Sequence, residues 1–260
     1  MKKIAILSVL FLLAFSLFAQ RKPEITIEQY YHIQRGGVWF NSMGRNFHPI
    51  TMGEKKTEAM AIYNSLNEPL ILTCDPLPKG FSLKFEHDTI PAKTESKIFV
   101  TLDTKKYGKY GPQLDYFYVR SSEPNRHPYR LLMTPNVQED FSALTEKELE
   151  KAPVASFDKT VSAFDTLPQM SVHKDSFLLT NKGKSDLYIR NVRAGCGCTH
   201  TKTSQDTIRP GEVAELSFEY RTLRKKGAQD SRITIVTNDP KTPQITLHIK
   251  GEVVIEEEEK

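Results

Sequence analysis

The stretch KKTEAMAIYNSLNEPLIL, Lys55 to Leu72, has a counterpart in VHKDSFLLTNKGKSDLYI, Val172 to Ile189. Each reads as an apolar strand ending on an asparagine (Asn64, Asn181), then a polar turn, then a second apolar strand. The two asparagines lie 181 − 64 = 117 positions apart. The likeness continues outward. HDTIPAKTESKIFVTLDTKKYGKYG (His87 to Gly111) answers QDTIRPGEVAELSFEYRTLRKKGAQ (Gln205 to Gln229), with Asp88 and Asp206 offset by 206 − 88 = 118. VRSSEPNRHPYRLLM then answers VTNDPKTPQITLHI, with Pro124 and Pro240 offset by 240 − 124 = 116. A period that drifts by so little across three stretches means that one unit, roughly a hundred residues long, occurs twice.

The unit is β. In ELSFEY, Leu216, Phe218 and Tyr220 share one face and Glu215, Ser217 and Glu219 the other. QITLHI sets Ile245, Leu247 and Ile249 against Thr246 and His248, and KIFVTL aligns Ile98, Val100 and Leu102. Alternation of period two with one apolar face describes sheets buried on one side. Turn signals recur every ten or so residues (NEP, SSEPN, NKGKSD, RPGE, NDPKTP), which predicts short strands packed as an immunoglobulin-type sandwich. The exception is SALTEKELEKAP, Ser142 to Pro153. Thr145 stands three before Glu148, a capping-box spacing, and Pro153 ends the run. The expected architecture is all-β: two tandem immunoglobulin-like β-sandwich domains joined by a short helical linker.

The ends suggest a compartment. Lys2 and Lys3 precede an apolar run from Ile4 to Phe18, and Ala19 is small, the layout of a secretory signal peptide. The run is shorter than the roughly 20 residues that span a bilayer. The expected division is a signal peptide over 1–19, a first sandwich over 20–139, a helical linker over 140–153, a second sandwich over 154–254 and an acidic tail over 255–260. The expected location is periplasmic or extracellular, with no membrane span once the signal is removed. The formal charge of +4 includes the two signal lysines. The small excess that remains is dispersed, its densest cluster being RTLRKKG (Arg221 to Gly227), and gives no footprint for nucleic acid.

The second copy resembles a known family. FDTLPQMSVHKDSFLLTNKGKSDLYIRNVRAGCGCT, then IRPGE, then VTNDPKTPQITLHIKGEV are similar to the exported bacterial family called domain of unknown function 1573, related to the major-sperm-protein and pilus-chaperone type of sandwich. The resemblance covers about Ala155 to Val254. Cys-Gly-Cys-Thr and the terminal Lys-Gly-Glu-Val are its most specific marks. It implies a fold and an exported location and no reaction. The first copy, degenerate over about 36–138, lacks the cysteine pair and has LPKGFSL (Leu77 to Leu83) in its place.

Chemistry is sparse. Gly-x-Ser-x-Gly, His-Glu-x-x-His, a phosphate loop and Gly-x-Gly-x-x-Gly are absent, and the seven histidines are scattered. The expectation is no enzyme. RAGCGCTHT, Arg193 to Thr201, is the one stretch where chemistry can be argued, and three readings stay open there. In an exported chain Cys196 and Cys198 tend to form a disulfide, which a tight turn at Gly197 assists, because i and i+2 of an extended strand stand near the upper limit for bridging. If the segment stays extended, Cys196, Cys198 and His200 point from one face and suit Cu(I) or Zn(II), although no fourth ligand is visible unless His248 or His173 folds nearby. Otherwise both sulfurs pack as small apolar groups. Cys74, which aligns near Asn191, is read as a buried single thiol.

Trp39, in RGGVWFNSMGRNF, and Tyr107 and Tyr110, in YGKYG, offer a binding loop for a partner or a carbohydrate. The plainer reading has Trp39 plugging the first sandwich and YGKYG turning a hairpin. Asp-Thr-apolar triplets at Asp88, Asp165 and Asp206 resemble an O-glycosylation acceptor of some envelope bacteria, and chance accounts for three matches about as well. The leading expectation for function is an exported non-catalytic envelope protein, a structural module or one that binds an unidentified protein partner. The alternative is a thiol-redox or copper- or zinc-handling protein acting through Cys-Gly-Cys.

Overall fold

A computed structural model describes residues 25–255, and within them the chain is two β-sandwiches in series. The expected signal peptide, and all of the acidic tail beyond Ile255, lie outside the described residues.

The first sandwich opens with the single turn α1 (Ile27–Tyr30), β1 (Ile33–Arg35), β2 (Val38–Phe40) and β3 (Gly44–Thr51). It continues through β4 (Lys55–Asn64), β5 (Leu70–Cys74), β6 (Phe81–Phe85), β7 (Thr89–Ile90) and β8 (Glu95–Asp103). After α2 (Thr104–Tyr107), it closes with β9 (Gly111–Pro112), β10 (Asp115–Ser121) and β11 (Tyr129–Gln138). Its sheets run β1-β2-β4-β8-β6 and β3-β11-β10-β5-β7, with β9 against β11. The second sandwich comprises β12 (Ala155–Phe157), β13 (Val161–Pro168), β14 (Val172–Asn181), β15 (Leu187–Ala194) and β16 (Thr199–Thr203). It ends with β17 (Thr207–Ile208), β18 (Val213–Arg221), β19 (Gly227–Thr237) and β20 (Gln244–Val254). Its sheets, β12-β14-β18-β16 and β13-β20-β19-β15-β17, repeat the strand order of the first pair, in which β1 and β9 are additions.

The period-two faces go where alternation sends them. Leu216, Phe218 and Tyr220 are buried with Leu247 and Ile249 in the second core, and Ile98, Val100 and Leu102 in the first. Each core side chain removed from water contributes on the order of 1.5–3 kcal/mol. The short strand β2 departs from expectation. Val38 and Phe40 are fully buried, so Trp39 faces outward, half-buried against the Tyr63 ring at 5.6 Å. Trp39 therefore does not plug the sandwich; its two neighbours do.

The repeated residues are pins. Asn64 has no exposed surface, and its Nδ2 donates to the carbonyls of Glu68, Ile90 and Pro91 at 2.9–3.0 Å. Its Oδ1 accepts the Leu66 N–H at 3.0 Å. Asn181, equally buried, donates to the Ser185 and Ile208 carbonyls, both at 2.8 Å, and accepts from the Gly183 N–H at 2.9 Å. Each asparagine thus closes its own turn and ties it to the isoleucine of the Asp-Thr-Ile triplet. The triplets hold position for their own reason: the Asp88 carbonyl accepts from Leu72 N–H and the Asp206 carbonyl from Ile189 N–H. Ile90 and Ile208 are fully buried.

A second pin escapes the sequence reading. Thr104 and Thr222, 222 − 104 = 118 apart, are both fully buried. Thr104 Oγ1 donates within reach of the Thr51 and Glu54 carbonyls, and Thr222 Oγ1 within reach of Pro168 and Ser171. Each hydroxyl also accepts one backbone N–H, from Gly53 and Ser171. The offset matches that of the aspartates, a signal the repeat alignment already contained.

Between the sandwiches, Thr145 caps α3 (Glu146–Leu149), with Thr145 and Glu148 satisfying each other's backbone N–H as a capping box. The helical part of the linker is this single turn. The chain then docks on the second sandwich, where Lys182 N–H donates to the Val154 carbonyl at 2.8 Å. Gly183 packs so closely that a Cβ there would stand 2.4 Å from the Ala152 carbonyl oxygen.

Candidate functional site

The Cys-Gly-Cys stretch lies where β15 gives way to β16. The close approach of Gly195 ends β15: its N–H donates to the Arg232 carbonyl at 2.7 Å, and a Cβ would stand 3.2 Å from that oxygen. The chain then turns, with Thr199 N–H bonded to the Cys196 carbonyl at 3.3 Å. The turn shortens the Cα separation of Cys196 and Cys198 to 5.2 Å, within bridging range, and the two sulfurs are joined as a disulfide.

The sulfurs differ in surroundings. Cys198 packs against the second core, beside the cluster of Phe177, Phe218 and Tyr220. Cys196 lines an open groove of about 210 Å³ with Tyr220, Lys225, Gln229, Asp230, Ser231 and Arg232. Hydroxyls surround the bond. Thr199 Oγ1 lies 3.5 Å from Cys196 Sγ and 4.0 Å from Cys198 Sγ, and Ser231 Oγ lies 3.6 Å from Cys196 Sγ.

The first sandwich solves the same corner without sulfur. Cys198 accepts at its carbonyl from Arg221 N–H, and Gly80 accepts likewise from Asp103 N–H, so Gly80 stands where Cys198 does. Over Gly80 sits Tyr107, 4 % exposed and edge-on to Phe81 at 5.6 Å. Two packings of one corner show that the fold as such does not demand the cysteines.

The turn removes the premise of the metal reading. His200 is exposed on β16 opposite Glu219, whereas Cys198 points toward the core, so the three side chains do not share a face. His248 is held on β20 by Asp230, Nδ1 to Oδ1 2.7 Å. His173 lies against Phe164 and Phe218. Among the described residues no group of three or more His, Cys, Asp or Glu is arranged to hold a metal ion. Cys74 sits half-buried at the end of β5, its thiol donating to the Asp75 carbonyl at 3.2 Å and pushed up by burial and by the Asp75 charge.

Tyr107 and Tyr110 form no recognition loop. Tyr107 is core, with its hydroxyl bonded to Asp115. Tyr110 faces the second sandwich: its carbonyl accepts from Asn191 Nδ2 at 2.9 Å, and Arg190 lies over its ring at 5.3 Å. Arg190 also stacks on Tyr188 at 5.1 Å and donates twice to Glu139, at 3.0 and 2.9 Å. Beside it, a Cβ on Gly111 would stand 2.4 Å from Val236 Cγ2.

One polar cluster mimics catalytic chemistry. Ser162, 1 % exposed, donates from Oγ to Asp175 Oδ2 at 2.5 Å and lies 3.1 Å from His173 Nε2, and Lys159 Nζ pairs with Asp175 at 2.6 Å. The carboxylate takes the hydrogen bond of the serine itself and the histidine does not stand between the two, so the three side chains do not form a Ser–His–Asp relay; burial lowers the pKa of His173. It bridges β13 to β14. Burial pushes the Asp175 carboxyl up, but hydrogen bonds from Lys159, Ser162 and the Ser176 N–H, with the Lys159 charge, bring it to about 2. A depressed carboxyl stabilises the fold above its unfolded value, near 4, and the contribution disappears as pH falls through 2. With 32 % of the side chain exposed, solvent screening reduces it to about 1–2 kcal/mol. The stability difference between the parent and Asp175→Asn, measured by urea unfolding, is expected to be constant above about pH 5 and to shrink between about pH 4 and 2.

No curated protein matches this chain. Among solved structures, a protein of unknown function from Porphyromonas gingivalis W83 superposes with TM-score 0.66 at 17 % identity, over 84 % of this chain and 100 % of that one. This likeness shows the fold. The periplasmic chaperone SfaE gives TM-score 0.34 at 12 % identity, over 84 % of this chain and 100 % of that one. PapD-like domain 7 of human CEP192 gives TM-score 0.34 at 11 % identity, over 46 % and 96 %. Likenesses as distant as these last two carry no functional weight. The resemblance carried by the Cys-Gly-Cys-Thr run is met in the second sandwich: residues 155–253 match the family described as Protein of unknown function (DUF1573).

Proposed function

We propose that this chain is exported to the cell envelope and acts there as a non-catalytic module that binds a protein partner along strand β16. The observation that carries the reading is the open edge of that strand. β16 ends its sheet, and its bonds to β18 leave from Cys198 and Ser204. Alternation along an antiparallel ladder therefore directs the backbone groups of Thr201 and Thr203 to the unpaired side. Such an edge accepts an added strand through main-chain hydrogen bonds. Beside it, the outer sheet face carries a groove of about 520 Å³ lined in part by Lys174, His200, Lys202 and Glu219, which gives side chains of a guest strand something to read. Export is supported by the leader-like N-terminus. No helix among the described residues is long and apolar enough to cross a membrane.

The test places a photo-reactive phenylalanine at Thr201, on the open edge, or at Thr246, exposed on the opposite sheet. Irradiation in the native envelope fraction is expected to give one discrete cross-linked species from position 201 and none from position 246. Equal labelling at both positions, or none at 201, overturns the reading.

A further inference from the structure

We propose that the Cys196–Cys198 bond is a thiol–disulfide exchange site, attacked at Cys196 by thiolates entering the groove between Tyr220 and Arg232. Four observations converge. The bridge spans a single residue, so it closes almost no loop and stabilises the fold little through chain entropy. The twin corner at Gly80 folds without it. The sulfurs are unequal, Cys196 lining the groove while Cys198 packs on the core. Attack is therefore directed to Cys196. Finally, the groove favours anions. Lys225 and Arg232 line it, and its one carboxylate, Asp230, is hydrogen-bonded to His248 and 3.8 Å from Lys250.

The exchange balances in atoms and electrons. A substrate thiol loses its proton to solvent, and its thiolate attacks Cys196 Sγ along the line of the existing bond. A sulfur–sulfur bond forms between substrate and Cys196, the Cys196–Cys198 bond breaks, and the electron pair departs on Cys198 Sγ, which takes a proton from solvent. A second substrate thiolate then attacks the substrate sulfur of the mixed disulfide and releases Cys196 as a thiolate. The substrate pair is oxidised by two electrons and the protein disulfide is reduced to two thiols. The hydroxyls of Thr199 and Ser231 stand within reach of the Cys196 sulfur when it leaves, and Thr199 within reach of Cys198, to donate to the developing charge. The substrate class is a thiol on an anionic small molecule or on an extended peptide. Re-oxidation runs the same steps backward with a disulfide of that class.

The experiment removes Cys74 first, by Cys74→Ser, so that only two sulfurs remain. Cys198→Ser then leaves Cys196 alone, and Cys196→Ser leaves Cys198 alone. With oxidised glutathione as probe, followed by intact mass, Cys196 is expected to form the mixed disulfide at least about tenfold faster than Cys198. Lys225→Glu with Arg232→Glu is expected to slow it at least about threefold. In the chain with both cysteines, millimolar reduced glutathione opens the bond without denaturant. A parallel arm with an acidic cysteine peptide assigns the source, small thiol or peptide thiol, by which reacts faster. A bond that survives both reductants until urea unfolds the domain overturns the proposal, and so does equal or faster reaction at Cys198. Circular dichroism identifies any variant that fails to fold, and the two-cysteine chain then decides alone. Cross-linking at Thr201 is independent of this outcome, so the strand-binding reading and the exchange site stand or fall separately.

Discussion

Replacing Asn181 with Ala is expected to lower the stability of the second sandwich by about 3–5 kcal/mol, because four backbone groups lose their partner on one fully buried side chain. The side chain is fully buried. Two carbonyls, of Ser185 and Ile208, lose a donor, and the N–H groups of Gly183 and Val154 lose an acceptor. Each hydrogen bond contributes only about 0.5–1.5 kcal/mol net, but a buried group left unpaired costs about 1–3 kcal/mol, and the second figure governs here. The measurement is urea unfolding, with a midpoint lowered by on the order of 2 M. Asn181→Asp is expected to be worse than Ala, since it turns a carboxylate oxygen toward carbonyls the amide served as donor. Asn64→Ala is expected to act equally on the first sandwich while leaving the second unfolding transition in place. A midpoint shift below about 0.3 M for Asn181→Ala would show that water or backbone relaxation replaces the amide.

The second large effect concerns the seam between the sandwiches. Arg190 is held by two hydrogen bonds to Glu139 and by the faces of Tyr110 and Tyr188, with both charged side chains mostly shielded at 30 % and 24 % exposure. Bidentate charged pairs in such a setting are among the stronger polar contacts. Arg190→Ala is expected to weaken the seam by about 2–3 kcal/mol and to enlarge the radius of gyration in solution scattering. Glu139→Ala is expected to do less, because the tyrosine rings still hold the guanidinium. A double-mutant cycle isolates the pair, with a coupling of about 1–2 kcal/mol expected. Unchanged scattering in both variants would assign the seam to Gly111 and Val236 instead.

The architecture is legible because it is written twice. The 117-residue offset of Asn64 and Asn181 survives, since any drift would strand their partners, Ile90 and Ile208, and alternation such as Leu216-Phe218-Tyr220 permits one register only. The capping box at Thr145 is legible for a similar reason: its partner is three residues away. The features that escape the sequence are non-local or too short. Three residues of β2 do not determine a face, so the pattern points Trp39 inward although Val38 and Phe40 hold the core. Tyr110 looks free in sequence because its partners, Arg190 and Asn191, are some eighty residues on. The same-face arrangement of Cys196, Cys198 and His200 requires an extended segment. The approach of Gly195 to Arg232, which turns it, depends on a strand thirty-odd residues away.

The order of strands also sets an order of assembly. β20, the last strand of its sandwich to be made, lies between β13 and β19, and β11 lies likewise between β3 and β10. In each case the final strand pairs in parallel with one of the earliest. During synthesis β13 therefore finds no neighbour in its sheet until residues 244–254 arrive, and neither sandwich can close from its beginning. Each stays open until its last strand enters the middle of a sheet, a long-range pairing that postpones closure to the end of that sandwich's synthesis. A chain built this way remains threadable until that strand is free, and loss of residues 244–254 would split a sheet in two rather than trim its edge.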